Sequence, residues 1–275
     1  MDAILNGTVV LLTVLYTLLL DAYARVFARR GERIRHLVRP LLLGTVALHL
    51  LSVLLRGAQL GACPVVSRWE ASSLVAFFIA LIYLILELRS GERSTGVFVV
   101  AGAFLLQLLS AVFLLGPAGD AADPPGAFSS LHAFSAIVGI AAVAVSGTYG
   151  LLYVFLYRAI KVGRFGLFFR RMPSLDTLGQ LNQTATALGF LALTVAVGLG
   201  FWGMGTAGAG DGAAHRGFVA LEVLLTITLW LLFGTSLLGR RFFRLGEVRQ
   251  AFCSVVALAL VAALIAGIFM RGFHS

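Results

Sequence analysis

Residues 129–158 read SSLHAFSAIVGIAAVAVSGTYGLLYVFLYR, and this stretch decides the fold that we expect for the whole chain. It opens with a polar edge and a histidine, His132, and continues without a charged side chain as far as Arg158. An uncharged helix of this length crosses a bilayer, because about 20 apolar residues at ~1.5 Å each span a hydrocarbon core of ~30 Å. We therefore expect His132 at one mouth of a transmembrane helix and a basic segment at the other.

The composition of the chain is that of an integral membrane protein. Of its 275 residues, 60% are hydrophobic and 12% are charged, which excludes an ordinary soluble domain. The net charge of +9 is carried mainly by arginines in short loops, where they act as topology signals. We therefore expect membrane lipid as a partner and no nucleic acid. The opening residues, MDAILNG, lack a cationic segment, so we expect a retained first helix rather than a cleaved signal peptide.

Eight apolar windows follow one another along the chain, and each predicts a transmembrane helix. They span residues 4–26, 37–56, 71–88, 95–115, 131–157, 178–203, 217–238 and 248–270. The connections between them are short, so we expect a single transmembrane helical domain over residues 1–275. The predicted fold class is an all-α polytopic membrane protein of about eight transmembrane helices.

The distribution of positive charge predicts the orientation of these helices. Most of the 21 Lys and Arg residues fall in one set of alternate loops. The other set holds only Arg56, Arg68, Arg216 and Arg271. Because positively charged loops stay on the cytoplasmic side, both termini are predicted to lie outside.

Four of the five histidines gather near the outer side of this topology. His132 opens the fifth span, His215 precedes the seventh and His274 closes the eighth, whereas His36 lies in an inner basic loop. His49 falls within the second span, nearer the outer leaflet. Ionisable groups inside a membrane are costly and commonly mark functional sites. Each of these histidines, taken singly, also has a simpler structural interpretation. His215 is typical of an interfacial contact and His274 of a frayed C-terminal tail, and His49 is typical of a core histidine that bonds to a neighbouring helix.

Convergence of these imidazoles at one membrane level favours a cofactor. Neutral imidazole is a common ligand of transition metals and of haem iron. No cluster of cysteines or carboxylates accompanies the histidines, which argues against a structural zinc site. A large apolar cofactor with axial imidazoles, haem, fits this pattern better.

Other polar groups in the spans allow plainer interpretations. Glu222 lies seven residues after His215 and so on the same helical face, where it could orient an imidazole or pair with Arg216. Gln107 is predicted to bond across helices. No nucleophile–base arrangement is visible, so we expect no hydrolase and favour a non-enzymatic role.

Small residues predict close helix packing. They are Gly139, Ser146, Gly147 and Gly150 in the fifth span and Gly198 and Gly200 in the sixth.

The order of these segments resembles the cytochrome c assembly family of membrane proteins, which includes CcsA and its HemX- and YpjD-like relatives. Residues 129–156 look like the family segment that opens with a haem-ligating histidine, at the position of His132. Residues 173–202, PSLDTLGQLNQTATALGFLALTVAVGLGFW, are similar to the lead-in to the family's tryptophan-rich haem motif. The ending, AGIFMRGFHS, resembles the family's C-terminus with its second histidine, at the position of His274.

The chain also departs from the family. The tryptophan-rich WWD motif is absent, since residues 201–217 read FWGMGTAGAGDGAAHRG with Trp202 alone. The family has a transmembrane histidine at a position that corresponds to about Leu238, so that histidine is absent here. A second histidine, expected just before Pro64, is also absent. His49 instead matches a histidine of the HemX- and YpjD-like branch, so the likeness points to that reduced branch.

The resemblance implies a function and a set of ligands. His132 and His274 would be the axial metal ligands of one b-type haem, and His49 would be a further ligand or a supporting group. The chain would be a multi-pass protein of the bacterial inner membrane that serves cytochrome c biogenesis or haem transport, with other cytochrome c assembly proteins as partners.

Two further hypotheses stay open. A non-catalytic scaffold or regulator of haem biosynthesis or cytochrome assembly would bind no haem, and the missing WWD motif favours it. A small quinol-oxidising cytochrome b would need histidine pairs on two membrane levels, which the sequence does not provide.

Overall fold

The computed structural model describes residues 2–28, 34–60, 67–114, 126–206, 213–243 and 246–272. Within these ranges the backbone alone is described at residues 2–5, 60, 127, 204–206, 213–222, 240–243, 264 and 266–272. The described ranges contain nine helices and no strand. In chain order the helices are α1 (Asp2–Phe27), α2 (Arg35–Leu60), α3 (Arg68–Ser90), α4 (Gly96–Leu114), α5 (Ala127–Lys161), α6 (Leu167–Arg171), α7 (Leu175–Thr206), α8 (Ala213–Phe243) and α9 (Glu247–Gly272).

The all-helical prediction is confirmed, and each of the eight apolar windows coincides with one long helix. Six helices in the described ranges are long and apolar enough to cross a membrane, namely α1, α2, α3, α4, α5 and α7. In α8 the corresponding apolar part is the shorter segment Val223–Gly239. The count of eight crossings and the outer position of both termini therefore stay predictions.

Local chemistry explains where two of these helices begin and end. The Ser67 side chain accepts a hydrogen bond from the Glu70 backbone N–H, and the Glu70 carboxylate accepts one from the Ser67 N–H. This reciprocal pair satisfies two free N–H groups at the start of α3. Gly91 ends α3 with a φ of 71° and Gly163 follows α5 with the same φ, a conformation that costs glycine little.

The α5 helix is the centre of the bundle. It packs chiefly against α7 and α9 and also contacts α3, whereas α4 packs against α1 and α3. Glycines on α5 permit this close approach: a Cβ at Gly139 would lie 2.6 Å from Leu193, and one at Gly147 would clash with Leu258. The prediction of close packing is confirmed at these glycines. Gly198, in contrast, has no described neighbour within 4 Å of such a Cβ.

The outer helices expose large apolar side chains along much of their length. Examples, each about half exposed or more, are Leu18 on α1, Leu54 on α2, Leu105 on α4, Leu191 on α7 and Leu231 on α8. Soluble monomers rarely expose apolar patches of this extent. The surface of the bundle therefore suits lipid better than water.

Three connections that the charge count assigns to one side of the membrane meet at one end of the bundle. Arg93, after α3, donates from Nη1 to the Arg35 carbonyl at the start of α2 over 2.6 Å. Arg171, at the end of α6, donates from Nη1 to the Phe27 carbonyl at the end of α1 over 2.6 Å. The relative placement of these connections agrees with the predicted alternation of the helices.

Candidate functional site

His132 lies in the second turn of α5, at the end of the bundle away from these basic connections. Its side chain is half-buried against α7. The imidazole Nδ1 is 2.9 Å from the carbonyl oxygen of Ala196. Because a carbonyl oxygen can only accept, Nδ1 carries the proton and donates it. In the neutral ring Nε2 is then the nitrogen with a free lone pair, and it has no hydrogen-bond partner among the described residues.

A glycine on α7 makes room for this ring. A Cβ placed on Gly200 would lie 3.1 Å from Cε1 of His132 and 3.5 Å from Nδ1. Gly200 follows Ala196 by four residues, so both lie on the face of α7 that meets α5. The carbonyl and the glycine together fix the position of the imidazole.

Large apolar residues flank His132 in the first turns of α5. Phe128, Leu131 and Phe134 are each exposed by about 40–50%. The ring of Phe134 also packs edge-on against Phe78 of α3, with ring centroids 5.1 Å apart. Phe128 precedes His132 by four residues, so an exposed aromatic side chain lies on the same face of α5 as the imidazole.

The other predicted outer histidines cannot be placed beside His132. His274 lies outside the described residues, so its pairing with His132 stays a prediction. The backbones of His215 and Glu222 lie in α8, whose first residues are described without side chains. His36 lies near the start of α2 with an exposed side chain.

His49 is a fully buried histidine whose two ring nitrogens both have partners. Nδ1 is 3.0 Å from the Tyr16 hydroxyl, and Nε2 is 3.1 Å from the Ser73 hydroxyl. Ser73 in turn donates to Gln107 Oε1 over 2.8 Å, which confirms the predicted bond of Gln107 across helices. Binding iron would require His49 to give up one of these hydroxyls, so the geometry favours the core-histidine interpretation.

A buried acid that the sequence reasoning missed lies at the opposite end of the bundle. The Glu87 side chain is fully buried, with Oε1 3.2 Å from Arg39 Nε and 3.3 Å from Arg93 Nε. Oε2 accepts a hydrogen bond from the Tyr23 hydroxyl. The sequence signal that could have identified Glu87 is the presence of an acidic residue within the apolar window 71–88. These contacts join α1, α2 and α3 to the loop before α4, which indicates a structural role.

Comparisons of the chain with protein-family models, with curated proteins and with solved structures found no match. The candidate ligand site is therefore identified from the geometry of its residues alone. In the part of the chain with described side chains, no three His, Cys, Asp or Glu residues gather in a way that could hold a metal ion. His132, with one nitrogen fixed and the other available, is the best candidate ligand in that part.

Proposed function

We propose that the chain is a haem-binding multi-pass protein of the bacterial inner membrane that serves cytochrome c biogenesis or haem transport. It would bind b-type haem at its outer face, with His132 and His274 as axial ligands. The observation that carries the proposal is the hydrogen bond from His132 Nδ1–H to the Ala196 carbonyl, because it leaves Nε2 available.

The surroundings of His132 fit an imidazole that ligates iron. Ligating histidines commonly donate their second N–H to a carbonyl or carboxylate, which fixes the ring and raises the basicity of the ligating nitrogen. Ala196 supplies that carbonyl here. The exposed Phe128, one turn before His132 on the same face of α5, offers apolar contact of the kind a porphyrin needs. Bound haem would supply a redox-active iron, and these residues would hold and orient it.

The membrane topology that goes with this function has eight crossings and both termini outside. His132 would then open on the outer face, and the basic connections would lie on the cytoplasmic face. The meeting of three of those connections at the end of the bundle away from His132 supports this arrangement.

Haem titration of the purified protein tests the proposal. We expect wild-type protein in a neutral detergent to develop a Soret band that saturates with added haem. His132→Ala and His274→Ala should each weaken binding by tenfold or more, since each removes one axial ligand. His36→Ala is the matched control, because it removes an exposed histidine at the other end of the bundle. A wild-type protein without a Soret band, or equal affinity in all variants, would contradict the proposal.

The scaffold function is the second candidate, and the absence of the WWD motif favours it. A scaffold would retain a stoichiometric protein partner on purification from its native membrane. Retention of that partner by the double variant His132→Ala/His274→Ala, together with no haem binding by the wild type, would support the scaffold function.

A further inference from the structure

A cavity of about 300 Å³ lies at the basic end of the bundle, roughly 40 Å along α5 from His132. The end of α1, the start of α2, the loop between α3 and α4, and α6 with its following residues form its walls. Its charged lining residues are Arg35, Glu92, Arg93, Arg170 and Arg171. In the part of the chain that the structure describes, four arginines and one glutamate thus line this cavity.

Two of these arginines hold the walls together. Arg93 donates from Nη1 to the Arg35 carbonyl, and Arg171 donates from Nη1 to the Phe27 carbonyl, each over 2.6 Å. Arg93 is also within ion-pair distance of the buried Glu87. Hydrogen bonds and an ion pair therefore connect the segments that form the walls of the cavity.

The other three arginines of the cavity have no acidic partner among the described residues. In the part of the chain that the structure describes, Arg35, Arg170 and Arg171 form no ion pair. The Glu92 carboxylate is engaged locally, since its Oε1 accepts from the backbone N–H and the hydroxyl of Ser94. Uncompensated guanidinium groups at one opening attract an anion.

The chemistry of the lining indicates which anion fits. Guanidinium groups present paired N–H donors that match phosphate oxygens, and they bind phosphate with two parallel hydrogen bonds. The apolar residues Val26, Phe27 and Met172 also line the cavity, so the site combines a phosphate-binding part with a hydrophobic part. Basic pockets between helices on the cytoplasmic side of membrane proteins bind lipid headgroups in this way.

We propose that this cavity binds a phosphate-bearing anion. The phosphate would come from the headgroup of an anionic lipid or from a soluble phosphate compound. The proposal does not depend on haem binding, since the cavity and His132 lie at opposite ends of the bundle.

The test variant is Arg35→Gln/Arg170→Gln. These arginines are chosen because their side chains make no hydrogen bond or ion pair in the described part of the chain, so the fold should survive their loss. The matched control is Arg158→Gln/Arg249→Gln, which removes two exposed arginines that do not line the cavity, one in the last turn of α5 and one in the first turn of α9, both predicted on the same side. Both variants lose the same formal charge, so a general electrostatic effect would act on both alike.

Two probes distinguish the source of the phosphate. In the first arm the protein is placed in phosphatidylcholine nanodiscs containing a minor share of phosphatidylglycerol, released in neutral detergent, and examined by native mass spectrometry for retained phosphatidylglycerol. In the second arm inorganic pyrophosphate is titrated calorimetrically into protein in pure phosphatidylcholine nanodiscs. In one of the two arms we expect the cavity variant to retain about tenfold less phosphatidylglycerol, or to bind pyrophosphate about tenfold more weakly, than the wild type. The control variant should match the wild type in both arms.

Each outcome bears on the proposal. Selective loss of phosphatidylglycerol assigns the site to a lipid headgroup, and selective loss of pyrophosphate assigns it to a soluble phosphate. No binding of either probe by the wild type, or equal losses in the two variants, overturns the proposal. Should the double variant fail to elute as the wild type does on gel filtration, Arg170→Gln alone replaces it, with Arg158→Gln as its control and an expected loss of about threefold.

Discussion

The substitution Gly200→Ala tests the support of His132 without touching the imidazole itself. The added Cβ would lie 3.1 Å from Cε1 of His132, closer than ordinary van der Waals contact, so the ring must move by a few tenths of an ångström. That movement lengthens the 2.9 Å hydrogen bond from Nδ1 to the Ala196 carbonyl. Loss of the hydrogen bond that orients a ligating histidine typically lowers affinity by about 10- to 100-fold, so a lengthened bond should lower haem affinity by about 2- to 10-fold.

The assay is the haem titration of the purified variant, followed at the Soret band. Gly198→Ala is the matched control, because it lies two residues away on the same helix and has no described neighbour within 4 Å of its added Cβ. Both changes raise helix propensity equally, so a difference between them reports the contact with His132. Equal haem affinity in the two variants would refute the supporting role of Gly200 and of the Ala196 carbonyl.

Three further predictions concern stability, each measured by thermal unfolding in detergent. Glu87→Gln should destabilise the protein by roughly 3 kcal/mol, because it removes the buried carboxylate shared by two arginines; unchanged stability would refute that role. Gly150→Ala should cost about 1–3 kcal/mol, since its Cβ would lie 2.7 Å from the Ala251 carbonyl oxygen, whereas Gly102→Ala, with open space, should not destabilise. Ser67→Ala should cost about 1 kcal/mol through loss of the cap of α3, and a stability equal to wild type would contradict that account.

The helices of this protein could be predicted because their signal is local. A long apolar run has few ways to satisfy its backbone in lipid except as a helix, so hydropathy alone located every long helix. The ion pair between Asp21 and Arg25, with Nε 2.7 Å from Oδ2, follows from their spacing of four residues. Glycines such as Gly139 and Gly147 predicted close packing, although the residues they would meet could not be named from the sequence.

The polar partners could not be predicted, because they depend on how the helices cross. Glu87 meets Arg39 and Arg93 only when three helix ends and a loop come together. For His49 the sequence left a ligand and a core histidine both open, and the hydroxyls of Tyr16 and Ser73 became visible only in the packed bundle. The same holds for the carbonyl that fixes His132, since it lies 64 residues away in the chain.

The most direct test of the central claim is chemical rescue at the proposed ligand position. In wild-type protein, ligation through His132 should give the low-spin absorption spectrum of haem with two axial imidazoles. His132→Gly should lose that spectrum, and imidazole added to the buffer should restore it, because the free ring can occupy the space left beside the Ala196 carbonyl. A low-spin spectrum in His132→Gly identical to that of the wild type, before any imidazole is added, would contradict the claim that His132 binds the iron.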